Sequence, residues 1–86
     1  MTTLNEQLAN LKVVPVIAIN RAEDAIPLGK ALVENGMPCA EITLRTECAI
    51  EAISMMRKTY PDMLIGAGTV LTIEQVDASI NAGGDF

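Results

Sequence analysis

Hydrophobic positions along this chain alternate between short continuous runs and stripes at helical spacing. Leu4, Leu8 and Leu11 share one helical face, and Thr3 with Glu6 stands at capping-box spacing ahead of them, so an opening helix is expected, placed as a lid on a core. Val13 to Ile19, around Pro15, is an apolar run of the kind a buried parallel strand requires. Asn20 and Glu23 can cap a helix that runs through Leu32 and ends at Asn35-Gly36, with Pro27 kinking it or delaying its start. Cys39 to Arg45 reads as a second strand. A helix from about Thr46 to Tyr60 carries Ala49, Ile53, Met56 and Tyr60 on one stripe. After a turn at Pro61-Asp62, Met63 to Ala67 reads as a third strand and Gly68 to Leu71 as a loop. The next helix begins at Thr72, with Gln75 at capping-box spacing, and stops at Gly83-Gly84. Asp85-Phe86 looks like the first step of a fourth strand.

Strand starts near residues 13, 39, 63 and 85 recur at intervals of roughly 22 to 26 residues, the length of one strand and one helix with short loops. That rhythm implies an α/β fold of parallel strands with right-handed crossovers. An open doubly wound sheet and a closed (βα) barrel both fit it. A barrel needs about 250 residues and at least roughly 200, so residues 1–86 are expected to be the N-terminal part of a single larger barrel domain, supplying three βα units and the start of strand 4.

Half of the residues are hydrophobic, more than a domain of this size buries easily, so some apolar surface should stay exposed. The net charge is −5, with six basic residues, one Tyr, one Phe and no Trp, which argues against nucleic-acid binding. No apolar run approaches the roughly 20 residues of a membrane helix, and the N-terminus lacks a signal-peptide pattern, so a soluble cytoplasmic protein is expected. Cys39 and Cys48 are expected to be free thiols. With one at each end of the second strand they stand about 20 Å apart, against the roughly 4 to 7 Å between Cα atoms that a bridge requires. The chain has no histidine, which removes His metal sites and Ser-His-Asp or Cys-His catalysis together. Met55, Met56 and Met63 read as core filler.

Within the second strand, Glu41-Ile42-Thr43-Leu44-Arg45 alternates so that Glu41, Thr43 and Arg45 share one face. A parallel strand is normally apolar on both faces, so this polar face either meets water or lines a barrel whose polar groups handle a ligand. In parallel sheets, ligands gather at the carboxyl ends of the strands. Arg45 and Thr46 stand there for strand two, and Gly68-Thr69 for strand three. Arg45 can hold a carboxylate through paired hydrogen bonds, and Thr69 can donate one from its hydroxyl. Glu41, deeper on the same face, can move a proton if burial favours its protonated form. An internal Glu41–Arg45 ion pair is the plain alternative, and both readings stay open. Gly66-Ala67-Gly68-Thr69 lacks the third glycine of a dinucleotide fingerprint and the lysine of a P-loop. Gly66 and Gly68 either leave room for a ligand or a neighbouring strand, or serve packing where strands converge.

Val14-Pro15-Val16-Ile17, the segment Glu41 to Ala49 and the segment Ile65 to Leu71 closely resemble the bacterial 2-keto-3-deoxy-6-phosphogluconate (KDPG) aldolases, which often also cleave 4-hydroxy-2-oxoglutarate (KHG). The resemblance covers nearly the whole chain in order. It implies a (βα)8 TIM barrel, a homotrimer at full length, and a class I lyase of the Entner-Doudoroff pathway that forms a Schiff base with pyruvate. It assigns proton transfer, with a bound water, to Glu41, and binding of the pyruvate carboxylate to Arg45 and Thr69. The implied partner is a small 2-keto acid, with no cofactor, metal, nucleic acid or membrane. The family's Schiff-base lysine and phosphate site lie on later strands, beyond Phe86. Lys12, Lys30 and Lys58 all fall away from the strand ends, so these 86 residues alone are expected to be inactive. A competing expectation, from the apolar excess and open strand edges, is a non-catalytic assembly or binding module.

Overall fold

Alternation around Glu41 is realised in the computed structural model, which describes residues 3–11 and 13–86, as strand β2 (Cys39–Thr43) at the centre of a three-stranded parallel sheet. Its neighbours are β1 (Val16–Ile17) and β3 (Leu64–Gly68). The register pairs Val16 with Glu41, Glu41 with Gly66, and Thr43 with Gly68. Helices α1 (Leu4–Leu11), α2 (Ala25–Glu34), α3 (Ala49–Thr59) and α4 (Ile73–Ala82) complete the described elements, with a 3-10 turn at Ala22–Asp24 leading into α2.

One face of the sheet carries the core. Ala40, Ile42 and Ile65 pack there against Ala49, Ala52, Ile53 and Met56 of α3, with Ile19, Ala25 and Met63 closing the margins. Met55 lies half-buried against this cluster, so the methionines do fill the core. The strands run in the consecutive order β1-β2-β3 with α2 beside α3 and α3 beside α4. A doubly wound sheet reverses strand order and covers both faces. Consecutive order with one helical layer is the winding of a barrel wall.

Local chemistry sets the element ends. Thr72 caps α4 through a complete capping box, its Oγ1 accepting from Gln75 N at 3.1 Å while Gln75 Oε1 accepts from Thr72 N at 3.2 Å. Gly83 ends that helix at φ 107°, a left-handed conformation natural to glycine. Pro27 sits in the first turn of α2, where its missing N–H has no intrahelical partner to lose, so it delays the helix without kinking it. The expected Asn20/Glu23 cap does not form: Glu23 pairs instead with Arg21 at 3.1 Å. Arg57 ties the far end of the sheet together. Its Nε donates to Gly83 O at 2.9 Å, Nη1 to Pro61 O at 2.7 Å and Met63 O at 2.8 Å, and Nη2 to Asp85 Oδ2. Asp85 N donates to Ile65 O at 2.6 Å and Ala67 N to Phe86 O at 2.7 Å, so the two residues run beside β3 in the place expected for a fourth strand.

Two further expectations differ from the structure of these residues. The run Val13 to Ile19 forms a strand only at Val16–Ile17, and Val16 is 64% exposed. β1 is an edge strand whose outward side chains lie on the face the helices leave bare, and Pro15 contributes only its carbonyl, which accepts from Glu41 N at 2.9 Å. Helix α1 buries none of its residues. Its Gln7, Asn10 and Leu11 lie beside Pro38, Asp62 and Leu64, at the amino ends of the strands and away from the main core.

Candidate functional site

The face opposite the helices presents Val16, Glu41, Thr43, Gly66 and Gly68 in register. Thr43 is buried, and its hydroxyl donates toward Ile17 O on the β1 side at 3.4 Å. Glu41 leans the other way. A Cβ built on Gly68 would stand 2.5 Å from Glu41 Oε2 and 2.9 Å from its Cδ, so the carboxylate lies over Gly68. Glu41 is paired in register with Gly66, two residues earlier, so its side chain runs forward toward the carboxyl ends of the strands. Gly66 serves a different neighbour, because the Phe86 ring occupies the space its side chain would take. Gly66 thus makes room for the adjoining strand, one of the neighbours the sequence offered, whereas Gly68 makes room for a side chain of the same sheet, Glu41.

Thr69 directly follows β3 and Arg45 lies two residues past the end of β2, and both are exposed. Leu44 N donates to Gly68 O at 2.8 Å, extending the ladder so that these two segments leave the sheet side by side. Thr69 adopts φ 57°, the one positive φ outside glycine among the described residues. A β-branched residue there costs on the order of 1 to 3 kcal/mol, and such strain collects at ligand sites. The loop after β2 is tied back to β1: Thr46 Oγ1 donates to Ile19 O at 2.5 Å and Cys48 Sγ to the same oxygen at 3.0 Å. Thr46 and Cys48 flank Glu47, just past Arg45, and hold this loop against the end of the first strand. The sequence offered only a faint signal for this clip, a hydroxyl and a thiol two residues apart just past a strand.

The ion pairs found among the described residues are Arg21–Glu23 and Arg57–Asp85, so Glu41 and Arg45 form no ion pair there. Glu41, Arg45 and Thr69 carry a carboxylate, a guanidinium and a hydroxyl, groups whose chemistry suits holding an organic anion and moving a proton. Both cysteines are free, with Cys39 buried and Cys48 half-buried at the N-cap of α3. Burial, reinforced by the Asp85 carboxylate, pushes the Cys39 thiol above its ordinary pKa. Lys30 is exposed on α2 and Lys58 exposed in the last turn of α3, both on the helical layer, whereas Lys12 lies outside the described residues. No cluster of potential metal ligands occurs among the described residues, and no helix there is long and apolar enough to cross a membrane.

Comparison with known proteins gives one family. A family model for the KDPG and KHG aldolases matches residues 4–86. The 2-dehydro-3-deoxy-phosphogluconate aldolase of Haemophilus influenzae is 52% identical over 81 residues, covering 94% of this chain and 38% of that protein. The KHG/KDPG aldolase of Escherichia coli is 44% identical over 85 residues, covering 99% of this chain and 40% of that protein. Among solved structures, the KDPG aldolase of Legionella pneumophila, with pyruvate captured at low pH as a covalent carbinolamine intermediate, superposes with a TM-score of 0.78 at 48% identity. The match covers 83% of this chain and 34% of that one. The chain thus spans about two fifths of the curated relatives it matches. The three βα units are those of a (βα)8 barrel, as their winding indicates.

Proposed function

Because the chain belongs to the KDPG and KHG aldolase family, we propose that residues 1–86 form the N-terminal part of a single barrel domain with class I aldolase activity. Its reactions are cleavage of 2-keto-3-deoxy-6-phosphogluconate to pyruvate and glyceraldehyde 3-phosphate, and of 4-hydroxy-2-oxoglutarate to pyruvate and glyoxylate. The observation that carries this reading is the Glu41 carboxylate over Gly68 at the strand ends, unpaired with Arg45.

A lysine amine condenses with the C2 ketone of the substrate, and the resulting iminium accepts the electron pair of the breaking C3–C4 bond as the C4 hydroxyl loses its proton. The enamine of pyruvate is left. Protonation at C3 and hydrolysis then release pyruvate and restore the amine. In this scheme Glu41, with a water, carries the protons, while Arg45 and Thr69 hold the carboxylate beside the reacting ketone. The carbinolamine in the Legionella protein's site is an amine addition product of pyruvate, the chemistry this scheme requires. Neither lysine among the described residues supplies the amine, since Lys30 and Lys58 sit on the helical layer, and the scheme takes it from outside these 86 residues. The 86 residues alone are therefore inactive. A homotrimer in the cytoplasm completes the proposal.

In the full-length protein, pyruvate release from both substrates, followed through lactate dehydrogenase, should persist in chelator. Release from neither substrate would overturn the proposal, and loss of activity in chelator would overturn the Schiff-base route. Borohydride reduction with pyruvate should leave the mass of the 86-residue chain unchanged. A second reading, self-association of the short chain, draws on exposed Val13 and Val16 at one sheet edge and on Val76, Ile80 and Phe86 at the other. A sedimentation profile showing a well-behaved monomer would rule it out.

A further inference from the structure

We propose that Gly68 is a positioning residue for Glu41, providing by its missing side chain the seat in which the carboxylate rests; this builds on the proton-transfer role given to Glu41 above. Glu41 is rooted at the middle of β2, level with Gly66. Two neighbouring positions on its face are already taken. The Phe86 ring covers Gly66, and Thr43, one step farther along β2, turns its hydroxyl to Ile17 O. The open direction is diagonal, across β3 at Gly68, and the side chain takes it: Oε2, Cδ and Cγ would lie 2.5, 2.9 and 3.2 Å from a Cβ at that position. This diagonal carries the carboxylate toward the strand ends where Arg45 and Thr69 begin the loops.

The nearest atoms to that added Cβ all belong to the far end of one flexible side chain. Gly68 has no positive φ, so alanine fits its backbone. Gly68→Ala therefore leaves the sheet intact and moves Glu41, which separates positioning from folding.

In the full-length enzyme, Gly68→Ala should lower kcat about 10- to 100-fold, as a displacement of about 1 Å in a reacting group can. KM should change less than about threefold, and the thermal midpoint should hold within about 2 °C. Borohydride trapping of pyruvate should survive, because the amine is untouched. Glu41→Ala, which removes every atom that lies within 3.2 Å of the added Cβ, should leave a residual turnover nearly indifferent to Gly68→Ala. A folded Gly68→Ala enzyme with parental kcat overturns the proposal. So does a loss from Gly68→Ala that is equal in the parent and in the Glu41→Ala background. If Glu41→Gln leaves turnover intact, the catalytic reading of Glu41 falls, and the seat is then judged by the 13C shift of the Glu41 carboxyl: moved by Gly68→Ala it stands, unmoved it falls.

Discussion

Replacing Arg57 with alanine should destabilise the fold by about 3 kcal/mol, although the residue lies on a helix surface and touches no site group. The substitution removes hydrogen bonds to Gly83 O, Pro61 O, Met63 O and Asp85. Those to Gly83 O and Met63 O are partly buried, and each stranded carbonyl costs roughly 1 kcal/mol. Those to Pro61 O and Asp85 are at the surface, where water replaces the guanidinium, so they add only a few tenths each. The aliphatic stem lies against Gly83, where a Cβ would meet Arg57 Cγ at 2.6 Å, and losing that cover contributes about 0.5 kcal/mol more. Native domains total roughly 5 to 15 kcal/mol, so the loss is a large share. Urea unfolding followed by far-ultraviolet circular dichroism should show a midpoint about 2 M lower, at a slope near 1.5 kcal/mol/M. Arg57→Lys keeps the charge without the planar fork and should recover less than half. A loss under about 1 kcal/mol for Arg57→Ala would refute the idea that this side chain ties α3, α4 and β3 together.

Further tests follow from the site and the core. In the full-length enzyme, Glu41→Gln should cut kcat far more than it changes pyruvate binding, while Arg45→Ala should mainly raise KM; small, equal effects on both constants would remove the roles given to them. Ile53→Ala, at a fully buried position beneath the sheet, should cost about 2 to 5 kcal/mol in urea unfolding, and a cost below about 1 kcal/mol would mean that the core collapses around the gap. Cys39 has a raised pKa in the fold, so its contribution is fully present below the unfolded thiol value of about 8.5 and is lost as pH climbs through the folded value. Stability should therefore fall on the alkaline side, and Cys39→Ala should flatten that fall; parallel curves for the two proteins would exclude the thiol as its source.

Much of this was legible in the sequence because period and punctuation agree there. Thr72 with Gln75 and Gly83 set α4 within one residue, and alternation about Glu41 identified β2 and its polar face. The boundary of β2 was overrun because Leu44 continues the alternation and donates to Gly68 O, while Arg45 has already turned away. Val16 is exposed because β1 is the outer of the three strands these residues supply, a neighbour relation that the apolar run by itself does not specify. Site residues could be chosen by chemistry, yet whether Glu41 meets Arg45 depends on side-chain direction, which Thr43, Phe86 and Gly68 decide through contacts distant in sequence. Arg57 gave no signal at all, since a surface arginine on a helix looks the same whether or not carbonyls surround it.

The sharing of one strand between core and site has a consequence for folding fidelity. Along β2, every residue that faces the helices alternates with one that faces the strand-end chemistry. A slip of one residue in pairing would turn Glu41 into the cluster around Ile53 and Met56 and send Ile42 onto the site-bearing face, burying a charge and taking an apolar side chain out of the core in a single error. The polar residues at the site thereby proofread the register of the sheet, and substitutions that made this face apolar would cost the chain its protection against misaligned strands as well as its chemistry.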